Sequence, residues 1–235
     1  MFLHDIPFKD RTKEFADLLM KHCSRLNERG LNVVPYTNES LAQFESLPAE
    51  KQLEIMNRYR EFYLHFVGAD IYQFPDRETP IEDKHCIHSF LRRTGYELPD
   101  GEDLSFIEPN WVIEVYDKNL MQIFRNHEFH RQCMYDLCTL ESYSWLELYE
   151  REDPGIIMGI YQFGQEMLNE HRQTMPWELK KHKIKETKLK NNRMFTNHHK
   201  YITPLFQDGE HVAAINFVES QLIKTVDNVI ELTWN

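Results

Sequence analysis

The chain has 235 residues and a formal net charge of −11: length for one or two domains, and an acid excess that disfavours general attraction to phosphate backbones. Hydrophobic residues make up 41%, with 15 Phe, 11 Tyr and 4 Trp, so a substantial core is expected. No apolar run approaches the roughly 18 residues of a membrane span. Met1–Asp10 lacks the apolar stretch of a secretory signal, so a cytoplasmic protein is expected. The four scattered cysteines (Cys23, Cys86, Cys133, Cys138) read as small buried hydrophobes rather than a disulfide framework.

The first helix is expected from Asp10 or Thr12 to Gly30, with Phe15, Leu18, Leu19, His22 and Leu26 at helical spacing and the glycine as its stop. Pro35–Asn38 breaks the chain before a short segment at Leu41–Phe44. A second long helix begins at Pro48, where a first-turn proline loses no hydrogen bond. Its stripe (Leu53, Ile55, Met56, Tyr59, Phe62, Tyr63, Phe66) is broad enough for a helix sandwiched between layers. The third opens on the capping box Thr79–Pro80–Ile81–Glu82 and closes at Gly95 after Arg92–Arg93. Within it, His85 and His88 share a face, but zinc spacings are missing, and they read as structural histidines.

After Pro99–Asp100–Gly101 the periodicity changes. Trp111–Tyr116 and Leu120–Phe124 form a hairpin across Asp117–Asn119. The carboxylates Glu141, Glu147, Glu150, Glu152 and Asp153 read as exposed acidic turns. Gly155–His171 is helical, with Ile156, Ile160, Phe163 and Met167 on one face. The basic run Lys180–Lys200 reads as a solvated strand face and loop, without base-readout motifs, so no direct nucleic-acid binding is expected. Strands are expected over Lys181–Lys188, Met194–Phe206 and His211–Glu219, the last two joined at Asp208–Gly209, a hairpin turn signal. The fold class is therefore α+β: an N-terminal helical region (1–100), then a five-stranded antiparallel sheet flanked by helices (109–220). An exit helix is expected over 221–235, with Leu222, Val226 and Val229 as its stripe, Ile223 and Ile230 widening it.

Three stretches carry a family resemblance. In DKNLMQIFRNHEFHRQCMYDL, a turn and strand lead to Asn126, then Phe129 and Tyr135. In TLESYSWLELYEREDPG, short helices close on acids and a proline, with Trp145, Leu148, Asp153 and Pro154. YITPLFQDGEHVAAINFVES is a hairpin whose first strand ends in Pro-Leu before a D-G turn. Their order resembles the PAS sensory domain over roughly half the chain. The resemblance implies a sheet in spatial order 2-1-5-4-3, first and last strands adjacent, curved around an apolar cavity.

It implies no catalytic residue and no metal, but a pocket drawn from Phe124, Asn126, Phe129, Tyr135, Trp145, Ile160, Phe163, Ile202 and Phe217, all but Asn126 pointing into one apolar interior. If Trp145 is core, Trp145→Ala should cost about 3 to 5 kcal/mol. Arg125–Phe129 stands where flavin photosensors carry a reactive cysteine, so covalent flavin chemistry is not expected. His171, near the end of the helix that bears the haem ligand in other relatives, reads as a surface residue. No cofactor is named.

Helices first and PAS second, the chain is similar to the sensor half of bacterial regulators that end in a LuxR-type helix-turn-helix. No such domain is found before Asn235, so the expectation is that the output domain is either absent from this protein or in a separate output protein. The resemblance further implies a homodimer through flanking helices, a small-molecule ligand or protein partner, and a role in transcriptional regulation. The alternative is an NTF2-like cone fold acting as a binding module or as a hydrolase or isomerase, which needs a His–Asp pair in a polar pocket. Catalytic motifs such as G-x-S-x-G or a P-loop are missing. Histidines of Asn126–His130 and Asn197–His199, facing across the sheet, are the best metal alternative.

Overall fold

The structure, a computed structural model, describes residues 8–68, 83–177, 179–188 and 192–226. Helices α1 (Phe8–Glu28), α2 (Asn38–Ser46) and α3 (Ala49–Gly68) come first, then α4 (Asp83–Thr94). Local chemistry sets their ends. Gly30 at φ 77° turns the chain back after α1, and the Leu31 N–H reaches the Leu26 carbonyl at 3.3 Å. Thr37 caps α2 in a reciprocal box with Ser40. The Thr79–Glu82 box lies outside the described residues.

Strands β1 (Trp111–Asp117) and β2 (Gln122–Arg125) precede three short helices: α5 (His127–Gln132), α6 (Leu137–Ser142) and α7 (Trp145–Leu148). Asn126 and Asp136 cap α5 and α6 through their side chains, and Ser144 opens α7 in a box with Glu147. Strand β3 (Tyr149–Arg151), helix α8 (Pro154–Asn169) and strands β4 (Met175–Pro176), β5 (His182–Glu186), β6 (Asn192–Gln207) and β7 (Glu210–Val226) complete the chain. Asp208 and Gly209, at φ 52° and 79°, make the β6–β7 turn.

The fold is α+β, with an antiparallel sheet in the order β2-β1-β7-β6-β5-β3 and β4 beside β6. Its first five strands follow the expected order: β1 lies against β7, Trp111 opposite Glu219 and Tyr116 opposite Ala214. Among the described residues there are seven strands rather than five. Tyr149–Arg151, expected as an acidic turn, pairs with Ile184–Glu186 as β3. The exit helix is also corrected. Ser220–Val226 continues β7, because β6 extends to Asn192 and offers partners for Gln221, Leu222, Lys224, Thr225 and Val226. The apolar stripe assigned to that helix, and the dimer placed on it, lose this basis through Val226; Val229 and Ile230 lie outside the described residues.

Strand alternation separates two faces. Trp111, Ile113, Val115, Ala213, Ile215 and Phe217 pack on the outer face under Cys86, Ile87, Phe90 and Leu91 of α4, and under Leu104. On the inner face, Val112 and Val218 join Phe15, Leu19, Phe44, Ile55, Met56 and Tyr59 of the N-terminal helices. Further along that face, Met167, Leu168 and Trp177 pack on Ile202 and Ala214. The helical region and the sheet thus share a core. No helix among the described residues is long and apolar enough to cross a membrane.

Candidate functional site

Between the two inner-face clusters lies a pocket of about 1120 Å³, counting its opening to solvent. Its floor is the sheet: Val112, Glu114 and Tyr116 of β1, Ala214, Asn216 and Val218 of β7, His199 and Ile202 of β6. Its walls come from α5 (Phe129), α7 (Trp145), β3 (Tyr149, Arg151) and α8 (Ile160, Gly164, Leu168), with Trp177 after β4. Concavity, an apolar majority and a few convergent polar groups are the usual make-up of a small-molecule site.

Register explains the mixture. Glu114 stands opposite Asn216 in the β1–β7 ladder, and both face inward. The Asn216 amide donates to Glu114 Oε2 at 3.2 Å. Its carbonyl is left for His199, whose Nδ1 lies 3.1 Å away and donates to it. Glu114 Oε1 accepts from Gln122 Nε2 at 2.5 Å, and Gln122 in turn accepts from Arg125 Nε. Arg125 pairs with buried Glu141 at 2.8 Å, and Arg58 of α3 donates to the Glu141 carbonyl at 2.9 Å. A continuous polar chain therefore runs from the pocket floor to the N-terminal helices.

Burial sets the charge states. It pushes the Glu114 carboxyl up, against the hydrogen bonds from Asn216, Tyr116 and Gln122 and the nearby Arg125 charge. It lowers His199 to about 3, helped by His182 and Arg151 and opposed by the Asn216 bond. His199 is therefore neutral at physiological pH, with its proton on Nδ1. Burial lowers Arg151 to about 10, which leaves it a cation, and raises the Cys133 thiol on the pocket wall to about 11. The guanidinium of Arg151 lies 4.5 Å from the Trp145 ring centre. Glu186, a buried member of the lining, is held by Arg193 at 2.5 Å.

Three buried polar atoms of the lining have no hydrogen-bond partner: His199 Nε2, Trp177 Nε1 and Arg151 Nε. His182, stacked on His199 with ring centres 5.6 Å apart, also has an unpartnered Nε2. Buried polar groups ordinarily find partners; these four atoms expose essentially no surface, so they lie behind the pocket lining rather than on it.

Of the nine residues expected in the pocket, Phe129, Trp145, Ile160 and Ile202 line it. Phe163 stands behind the wall, 4.7 Å from Trp177. Tyr135 belongs to the N-terminal core and donates to the Leu148 carbonyl at 2.6 Å. Asn126 is structural, accepting from Ile113 and Phe129 and donating to the Trp111 carbonyl. Phe124 and Phe217 lie on the outer face, opposite Val115 and Ile113 in the ladders. The eight apolar ones do not share one interior, because a period of two sends those two strand aromatics away from the pocket.

Glu114, Arg151, Trp177, His199 and Asn216 were not among the nine. The available signal was a polar residue inside an apolar strand: Glu114 between Ile113 and Val115, Asn216 between Ile215 and Phe217. The two histidine runs do not form a metal centre. His127 lies 3.5 Å from Cys86 and His130 is 6.3 Å, ring to ring, from His22, while His199 is in the pocket. No cluster of three metal-binding side chains exists among the described residues. His85 and His88 are exposed on α4, and His171 offers its carbonyl to His211 at 2.7 Å. No protein-family model, curated protein or solved structure matches the chain.

Proposed function

We propose that this protein is a cytoplasmic PAS-type sensory module that binds a small molecule in the inner-face pocket and passes its state to a partner, as part of transcriptional regulation. The observation that carries the reading is the inner-face pocket itself, an apolar concavity into which Glu114, Arg151, His199 and Asn216 bring a few polar groups, the usual make-up of a small-molecule site. The strand order supports it, since β1, β7 and β6 form a continuous floor. The partner surface belongs to the N-terminal helices: the polar chain from Glu114 through Arg125 and Glu141 ends at Arg58 on α3. A separate output protein, or a second copy of the chain, would read that layer.

Binding is favoured over cone-fold catalysis by the placement of Asn216. A general base needs a value near neutrality, and a carboxylate directly on the imidazole would raise it. Here an amide intervenes, and His199 is lowered to about 3.

Gly164→Leu tests the reading. Gly164 sits on α8 at the pocket wall, and a Cβ there would meet Leu120 at an ordinary 3.6 Å, so the larger side chain fills the pocket without breaking the helix. Native mass spectrometry of the purified protein should show a small molecule released on denaturation from wild type and missing from folded Gly164→Leu. Equal occupancy in both would remove the pocket from the function.

A further inference from the structure

We infer that the pocket selects an uncharged aromatic molecule over its ionised relatives. This rests on the reading of the pocket as a small-molecule site and adds the chemical class.

The charges of the wall are already answered from within the fold. One arginine and two carboxyls reach the lining: Arg151, Glu114 and Glu186. Glu186 takes Arg193 on both oxygens, at 2.7 and 2.5 Å. Glu114 has a donor on each oxygen, Gln122 at 2.5 Å and Asn216 at 3.2 Å, and lies within reach of the Arg125 charge. Arg151 donates from Nη1 to the Tyr149 carbonyl at 3.1 Å and has Glu114 as a nearby anion. The other wall groups that burial shifts are neutral at physiological pH. His199 is lowered to about 3, the Cys133 thiol is raised to about 11, and Tyr116 and Tyr149 are held well above their usual values. Among the described residues, no wall charge is left over for a ligand of either sign.

Aromatic faces are the other means of holding a cation, and here the protein's own cations use them. Arg151 lies over the Trp145 ring at 4.5 Å, Arg125 over Phe129 at 5.3 Å and Arg193 over Phe195 at 4.8 Å. An amine placed beside these rings would meet like charge. An anion meets the converse: at Arg151 it comes up against Glu114, whose charge already acts on that guanidinium. An ion of either sign would thus give up its water without gaining a counter-charge.

The surface that remains for contact is apolar, from Val112, Leu120, Ile160, Ile202 and Val218, with the ring of Tyr161 beside them. Half-buried Asn197 and Ser220, joined to each other at 2.8 Å, add hydrogen-bonding groups that carry no charge. Such a lining rewards burial of a ring, which packs against the aromatic side chains of the wall.

The test is a matched series titrated calorimetrically into the full chain at neutral pH: cinnamamide, cinnamate and cinnamylamine, which share one ring and differ in charge. The neutral amide should bind about tenfold or more tighter than either ion, because the water stripped from an ion is not replaced. Folded Gly164→Leu, which fills the pocket, should lose the amide.

Acid or amine binding as tight as that of the amide overturns the class and leaves the pocket reading standing. Amide binding that survives in folded Gly164→Leu overturns the inference, since the site is then elsewhere. If no member of the series binds, the molecule released from the purified protein decides: an uncharged ring compound upholds the class, and any other overturns it. If nothing binds and nothing is released, the pocket reading falls and takes this inference with it.

Discussion

The two faces of one sheet have been put to opposite uses. On the outer face, Ile113, Val115, Ala213, Ile215 and Phe217 are sealed by α4 and Leu104, each 0% exposed. On the inner face, the residues between them are Glu114, Tyr116, Ala214 and Asn216, and they floor a pocket. Consecutive residues of the same strands thus belong to an apolar seal and to a polar-marked cavity. A dry face stabilises the sheet, and its rigidity holds the polar groups of the other face in place.

The largest expected effect would come from acid, and most of it falls on the inner side, His127 lying instead against Cys86 of α4. Burial lowers His22 and His199 to about 3 and His127 to about 4, and places His130 well below its usual value. In the unfolded chain each takes a proton near pH 6.5; in the fold each stays neutral until its lowered value. The unfolded state therefore binds more protons below pH 6.5, and stability falls with pH from there, levelling below about 3 to 4. At pH 5 each of the three with stated values costs about 2 kcal/mol, a large share of the roughly 5 to 15 kcal/mol of an ordinary domain. Urea midpoints measured from pH 7.5 to 5 should drop steeply, and His199→Gln should flatten the slope by one proton. A flat profile would mean that the inner face is wet rather than buried.

Phe217→Ala sharpens the comparison from the other side. Phe217 is 0% exposed, and its ring packs 5.1 Å from that of Phe106. Truncation should cost about 3 to 5 kcal/mol in urea denaturation at pH 7.5, while ligand affinity in the surviving folded fraction stays unchanged. A small loss would show that the outer face is not the stabilising one.

Much of this architecture was legible because it is local. The stop at Gly30, the turn at Asp208–Gly209 and the long helices are set by neighbours in sequence, and the strand order is the one that the resemblance implied. What was not legible is decided by distant partners. Phe124 and Phe217 faced the wrong way because both faces of the sheet are covered, so hydrophobic residues occur on each and alternation no longer marks one as interior.

Glu114, Asn216 and His199 were overlooked because a polar residue in a strand reads as a solvated one until a second layer covers it. Leu222, Val226 and Val229 have helical spacing, yet Thr225 and Val226 also suit a strand, and the ladder with Asn192–Met194 settled the choice. Tyr149–Arg151 is a strand solely by virtue of its pairing with β5.

Trp145 is where the two faces give the smallest but sharpest contrast. Treated as a core aromatic, its truncation should cost about 3 to 5 kcal/mol. In the structure it is half-buried on the pocket wall, in none of the three apolar clusters, and its defined contact is with the Arg151 guanidinium. A partly exposed cation–π contact contributes about 0.5 to 1 kcal/mol, and a side chain already facing a cavity leaves little new void when removed. Trp145→Ala should therefore cost about 1 kcal/mol in the same urea titration, well under the loss from Phe217→Ala, although tryptophan is the larger residue. Its effect should appear instead in the pocket, because Arg151 loses the ring that steadies it. A stability loss equal to that of Phe217→Ala would put Trp145 back in the core and erase the division between the faces.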